Sequence, residues 1–297
     1  MHVSPPDSVR AAVEAFVGSP SREWRAVTGG HTSAGRARVF FDDRSVFAKW
    51  AEDERTAGFV RAEFPAYELL AADFMPACHL MSGDAADGHP LLVLEDLGSA
   101  HWPPPWSVEQ ARCAVETLRR VHACAPPEGL GTLESYRDEL SGWKRVEQDP
   151  EPFLGIGLAS RGWLDAALPT LLAAEAATPL DGNDLLHFDA RGDNLCFTDD
   201  GRVVLIDWNW ACVGNGALDV AILATSIAAD GGPQPEDLLR DDGGTATILA
   251  GFWASMAGLP PPDETHVRRI QLHCLRSALP WTARVLGLPE PFVNRTP

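Results

Sequence analysis

The sequence predicts an α+β chain of two lobes, and three observations carry that expectation. Strand patterns dominate before Glu95, helical patterns dominate after Pro105, and 297 residues are too many for one small core. The expected division runs between residues 1–95 and residues 96–297.

In the first region, Arg36-Ala37-Arg38-Val39-Phe40-Phe41 and Ser45-Val46-Phe47-Ala48-Lys49-Trp50 alternate across the turn Asp42-Asp43 and read as paired strands. Upstream, Val27-Thr28-Gly29-Gly30-His31-Thr32-Ser33-Ala34-Gly35 reads as a glycine-rich loop between strands. Ala62 to Leu70 reads as helix, with Pro65 starting or kinking it and leaving Glu63 near its N-terminus. Leu91 to Leu97 reads as a buried strand running into a connector.

In the second region, Ser107-Val108-Glu109-Gln110 forms a capping-box start. The helix behind it repeats apolar residues at Val108, Ala111, Val115, Leu118 and Val121, at three- and four-residue steps, and ends near His122. Further helical patterns run over 163–177, 217–229, 245–257 and 265–286. Between them, Leu185 to Asp207 reads as strand, tight loop, strand, turn and strand, with Thr198-Asp199-Asp200-Gly201 as the hairpin signal.

The same segment holds the chemistry. His187-Phe188-Asp189-Ala190-Arg191-Gly192-Asp193-Asn194, followed by Val203-Val204-Leu205-Ile206-Asp207, supplies an Asp, an Asn five residues on and a second Asp at a strand end. Phosphoryl transfer is catalysed mainly by positioning and by neutralising phosphate charge. Magnesium takes hard oxygen ligands and keeps several waters, so the Asp207 carboxylate and the Asn194 amide suffice from the protein. A separate carboxylate, Asp189, orients the attacking hydroxyl. Turn chemistry explains Asp199 and Asp200, but it does not explain an Asp between Ile206 and Trp208. His187 and His122 read as structural, and Trp208 and Trp210 as packing residues.

His187-x-Asp189-x-x-x-x-Asn194 with Ile206-Asp207-Trp208 resembles the catalytic loop and metal-binding strand of the aminoglycoside phosphotransferase and choline kinase families, relatives of protein kinases. The eighteen-residue step from Asp189 to Asp207 matches the kinase spacing. The resemblance implies a bilobal fold, with a small antiparallel-sheet N-lobe over residues 1–95 that binds the nucleotide and a larger, mainly helical C-lobe over residues 96–297 that is catalytic and binds the substrate. It also implies that Asp189 is catalytic and that Asn194 and Asp207 are magnesium ligands. Phe188 stands where the family often has Gly.

A kinase further needs a cation on the nucleotide phosphates, paired with a helix carboxylate. The chain has two lysines against twenty-two arginines, so Lys49 on a half-buried strand marks a need for ammonium geometry. By the family pattern its partner is Glu63, with Glu68 as rival. Gly29, Gly30, Thr32 and Ser33 fall where the family covers the nucleotide, Glu95 falls at the connector that receives the base, and Asp219 falls where the family braces the catalytic loop.

The resemblance implies ATP, with GTP as an alternative, and magnesium as cofactors. It implies transfer to a hydroxyl of a small polar molecule, an aminoglycoside-type or related antibiotic. The alternatives are a metabolic kinase of choline, an amino alcohol or a sugar, and a catalytically silent kinase-like binding protein. A net charge of −18 argues against a nucleic-acid partner. Six scattered cysteines form neither a metal spacing nor a disulfide framework. A polar start and the lack of a long apolar run lead to the expectation of a cytoplasmic protein without a membrane span, as a monomer or homodimer.

Overall fold

The structure is a computed structural model that describes residues 4–27, 33–70, 72–82, 90–240, 243–260 and 265–291. The chain divides into two compact units, Met1–Pro103 with Asp193–Ala211, and Pro104–Gly192 with Cys212–Pro297.

Period-two alternation builds the first unit. Helix α1 (Asp7–Val17) precedes strands β1 (Glu23–Ala26), β2 (Gly35–Phe40) and β3 (Ser45–Trp50); helix α2 (Glu54–Leu69) and strands β4 (Cys78–Ser82) and β5 (Leu91–Glu95) follow. The sheet is antiparallel in the order β1-β2-β3-β5-β4, so β3 is its central strand. Ala37 and Val39 of β2 and Val46, Ala48 and Trp50 of β3 pack with Trp24, Val9 and Val13 into the core. The intervening residues Arg36, Arg38, Phe47 and Lys49 therefore line the opposite face.

Helix α2 corrects the expectation that Pro65 leaves Glu63 near a helix start. Its N-cap is Asp53, whose carboxylate accepts the Thr56 N–H at 2.7 Å while the Thr56 hydroxyl accepts the Asp53 N–H at 3.0 Å. The helix then runs through Pro65 to Leu69, which puts Glu63 mid-helix. An interior proline forfeits one backbone hydrogen bond, and burial of Ala57, Val60, Ala66 and Tyr67 offsets that loss.

The second unit opens with α3 (Val108–His122), whose predicted capping box is present: Gln110 N–H donates to Ser107 Oγ and Ser107 N–H to Gln110 Oε1. Short helices α4 (Arg137–Leu140), α5 (Gly142–Gln148) and α6 (Glu151–Ile156) lead into α7 (Arg161–Ala177) and strand β6 (Asp184–Leu186). The chain then contributes the hairpin of β7 (Leu195–Phe197) and β8 (Val203–Leu205) to the first unit, where the Leu205 N–H donates to the Phe74 carbonyl.

Strand β9 (Cys212–Gly214) returns to the second unit and pairs antiparallel with β6. It is followed by α8 (Gly216–Ala229), α9 (Pro235–Leu238), α10 (Gly244–Ala257) and α11 (Thr265–Val285). Helices α8 and α10 are apolar on most sides and sit inside the unit, as such helices must. Ile248, Leu249 and Trp253 of α10 pack with Trp143, Leu164, Leu171, Leu275 and Trp281. Gly142 lets α5 approach α10, since a Cβ there would lie 1.9 Å from the Gly251 carbonyl oxygen. Among the described residues, no helix is long and apolar enough to cross a membrane.

Candidate active site

Within the first unit a cavity of about 410 Å³ is lined by residues of β2, β3, α2, β5 and the segment after β8. Lys49 reaches it from β3 and is 5% exposed. Its ammonium lies 2.5 Å from Glu63 Oε1 and 2.5 Å from Asp207 Oδ1. Glu63 is therefore the partner, and Glu68, the rival carboxylate, is exposed. Burial alone would push the Lys49 ammonium down, but the carboxylates of Glu63 and Asp207 outweigh it and hold the pKa above its ordinary value. Burial also pushes Glu63 up to about 7, against the pull of Lys49. One turn after Glu63, Tyr67 lines the same wall, and burial keeps its hydroxyl protonated by raising its pKa well above normal.

Asp207 is aimed by its neighbours. Ile206 packs against Leu97, Cys196 and Val204, and its N–H donates to the Asn194 carbonyl at 2.9 Å. Trp208 is fully buried, lies with its ring 6.3 Å from Phe74 in a tilted arrangement and donates its indole N–H to the Leu205 carbonyl. Between these anchors Asp207 takes a left-handed backbone, φ 68°, which turns its carboxylate towards Lys49. Asn194 is 4% exposed and lines the same cavity. Trp210, read as a packing residue like Trp208, is instead 40% exposed, with its ring 6.5 Å from Phe59.

Glu95 also lines the cavity, at the end of β5. Its carboxylate is taken up by Arg202, at 2.6 Å from Nη2, and by the Ala77 N–H at 3.0 Å, which hold it below the usual carboxylate range. The wall further contains Arg36, Arg38, Asp96 and Asp193, which the chemical motifs did not single out. For the two arginines the signal was the alternation Arg36-Ala37-Arg38-Val39, which puts both on one strand face. Gly29, Gly30 and Thr32 lie outside the described residues. Ser33 is described and exposed, and Val27, before the loop, lines the cavity.

Asp189 belongs to the second unit, in the turn after β6. Its carboxylate pairs with Arg191, and its N–H donates to His187 Nδ1 at 3.3 Å. Asp219, from the first turn of α8, is fully buried and accepts the N–H groups of His187 at 2.9 Å and Phe188 at 2.8 Å. His122 Nε2 lies 3.2 Å from the same carboxylate. This clamp holds Phe188 at φ 59°, a conformation that normally requires Gly, while its ring packs 5.7 Å from Tyr136. Phe188 thus takes the backbone shape that a Gly would give the loop.

The phosphotransferase enzyme family matches residues 23–259. The chain belongs to this family. Solved phosphotransferase structures share its protein-kinase-like α+β fold. The choline kinase LicA from Streptococcus pneumoniae overlays with a TM-score of 0.60 at 15% identity, covering 91% of this chain and 98% of that one. Spectinomycin phosphotransferase APH(9)-Ia, in complex with ADP and spectinomycin, gives 0.62 at 12% identity, over 95% and 98%. A thermostable mutant of aminoglycoside phosphotransferase APH(4)-Ia, in a ternary complex with ADP and hygromycin B, gives 0.55 at 13% identity, over 94% and 98%. No curated protein matches the sequence. The cavity wall of the first unit gathers Lys49, Glu63, Glu95, Asn194 and Asp207; Asp189 lies in the second unit, on a backbone-clamped turn.

Proposed function

We propose that this phosphotransferase moves the γ-phosphoryl group of ATP, with magnesium, to a hydroxyl of a small polar molecule, an aminoglycoside-type or related antibiotic. The observation that carries the reading is the triad of the buried Lys49 and Glu63 with the half-buried Asp207 on one cavity wall. Lys49 would hold the nucleotide phosphates, with Glu63 fixing the direction of its ammonium. Gly29, Gly30, Thr32 and Ser33 would offer backbone amides to those phosphates, and the connector at Glu95 would receive the base. Asp207 and Asn194 fit a hard divalent ion, because both offer oxygen donors on the wall where Lys49 already stands. When bound, magnesium would neutralise phosphate charge.

Asp189 would accept the hydrogen bond of the acceptor hydroxyl and orient it, with its carboxylate paired to Arg191. The lobes would divide at 95/96, and ATP chemistry would place the protein in the cytoplasm. The ligands named in the spectinomycin and hygromycin B structures motivate the antibiotic acceptor, and the choline kinase motivates the second reading, a metabolic small-molecule kinase.

A coupled assay of ADP release over a panel of antibiotics, choline, amino alcohols and sugars, run with ATP and with GTP, tests this. One acceptor class should release ADP in proportion to acceptor added, and cells expressing the chain should resist the antibiotic concerned. Nucleotide binding without turnover on any acceptor would leave a silent binding protein instead.

A further inference from the structure

We propose that Tyr67 is a ligand-binding residue of the nucleotide site, its phenol O–H donating a hydrogen bond to a phosphate oxygen of the nucleoside polyphosphate. The inference rests on the nucleotide reading above and deepens it.

Tyr67 is 7% exposed and lines the cavity, and among the described residues its hydroxyl has no hydrogen-bond partner. A buried phenol ordinarily finds one, because a hydroxyl left unpaired keeps the full cost of leaving water. Elsewhere the chain obeys that rule at its buried aromatic residues. The indole N–H groups of Trp24, Trp50, Trp143 and Trp208 donate to Ser21 Oγ, Glu52 Oε1, the Thr247 carbonyl and the Leu205 carbonyl at 2.7–3.1 Å. Of these five side chains, Tyr67 alone lines the cavity.

Its neighbours explain why the fold leaves the hydroxyl over. Glu63, one turn back on α2, shares a helix face with Tyr67, yet its Oε1 is committed to Lys49 at 2.5 Å. Asp207 Oδ1 is committed to the same ammonium. The Asp207 N–H approaches the phenol oxygen and favours its ionised form, without reaching hydrogen-bond geometry. A phenol that accepts there still has its own hydrogen to give. Burial, with the charges of Glu63 and Asp207, outweighs that pull and keeps the proton in place, so the hydroxyl is a donor.

The same two charges locate the phenol at the Lys49 end of the cavity, where the nucleotide reading puts the phosphates. Phosphate oxygens only accept, so an ammonium and a phenol O–H can serve one polyphosphate together, whereas a base edge or a sugar hydroxyl mixes donors with acceptors. A neutral donor also leaves Asp207 to the divalent ion, which a further cation would contest.

The test is calorimetric titration of the full chain with ATP and with adenosine, in magnesium and in EDTA, for wild type and Tyr67→Phe, beside the melting temperature of each free protein. Tyr67→Phe keeps the ring and removes only the unpaired hydroxyl, so the free variant should melt at or above wild type. ATP binding should weaken roughly tenfold, the range for a hydrogen bond to a charged group, in magnesium and in EDTA alike. Adenosine binding should stay unchanged. The chain has two tyrosines, Tyr67 and Tyr136, so isotope labelling at the phenol carbon gives two resonances, which Tyr136→Phe assigns. ATP should shift the Tyr67 resonance, and adenosine should leave it in place.

ATP affinity of Tyr67→Phe within about twofold of wild type would overturn the proposal, and so would equal losses for ATP and adenosine or a loss confined to magnesium. A lower melting temperature of the free variant would overturn it too, since the hydroxyl would then have a partner in the bare fold. If Tyr67→Phe fails to fold, the resonance decides alone, and a Tyr67 signal unmoved by ATP ends the proposal. A wild-type chain that binds no nucleotide would sink the nucleotide reading together with this inference, whereas the other outcomes sink the inference alone.

Discussion

In the first unit charge is held by charge, whereas in the second a carboxylate is held through the backbone around it. Lys49, Glu63 and Asp207 come from a strand, a helix and a strand end, and side-chain ion pairs tie the three together. Asp189 sits on a turn whose N–H groups at His187 and Phe188 are captured by the buried Asp219. The first arrangement is electrostatic, so it should respond to any change of charge, even an isosteric one. The second is geometric, so it should respond to loss of an acceptor more than to the charge of Asp189 itself.

The largest expected effect is on turnover. Asp189→Asn keeps the shape of the turn and removes the carboxylate, so turnover should fall roughly a hundred to ten thousand fold, the range for a positioned acid or base. Nucleotide affinity should persist. Steady-state kinetics beside an ATP titration would check both, and wild-type turnover in the variant would remove Asp189 from the chemistry.

Lys49→Met reverses the pattern, striking the fold as well as the nucleotide. It strands two carboxylates around a buried methyl group, and breaking a buried ion pair costs about 3–5 kcal/mol. Denaturant unfolding should register that loss, and adding Glu63→Gln should recover part of it while ATP affinity stays lost. If the double variant is no more stable than Lys49→Met, the triad is not an electrostatic unit.

Asp219→Ala tests the backbone clamp. Two N–H groups lose their acceptor in a buried site, at a cost of about 1–3 kcal/mol each where water does not enter. Turnover should drop together with stability, and ATP affinity should not move. A variant that turns over normally would mean that β6 and the packing of Phe188 hold the turn without Asp219.

The candidate cavity wall was legible because its residue types are rare where they stand: an Asp between Ile206 and Trp208, and a lysine in a chain that otherwise chooses arginine. The helical periods at 163–177, 217–229, 245–257 and 265–286 agree with α7, α8, α10 and α11 to within two residues at each end. The start of α2 was written in Asp53-Glu54-Arg55-Thr56, but Pro65 is the louder signal, and a local rule lost to tertiary burial of the helix. Arg36 and Arg38 were visible as the polar half of an alternating strand. Such positions usually face water, and sequence alone does not distinguish water from a cavity wall. The left-handed Phe188 was illegible for a deeper reason: nothing local favours that backbone in Phe, and it is imposed by Asp219, thirty-one residues away.

The gentlest break in the comparison is at Glu95, where the first unit again holds charge with charge, now near solvent. Arg202 and the Ala77 N–H lower the Glu95 pKa from its ordinary value of 4.5, and Arg202 is raised in turn. A carboxylate whose folded pKa is depressed adds stability above its unfolded value and loses it as the pH falls through the folded one. The contribution should therefore be complete above pH 4.5 and be lost progressively below it, as the pH falls through the lower folded value. With both side chains more than a quarter exposed, water screens the pair, and it should be worth about 1 kcal/mol or less. Denaturation midpoints between pH 3 and pH 7 would show it: Glu95→Gln should flatten the acid limb slightly and leave the neutral plateau lower by about that amount. An acid limb as steep as wild type would mean that Glu95 takes no part in holding the cavity wall, and that charge clamps matter in this unit only where they are buried.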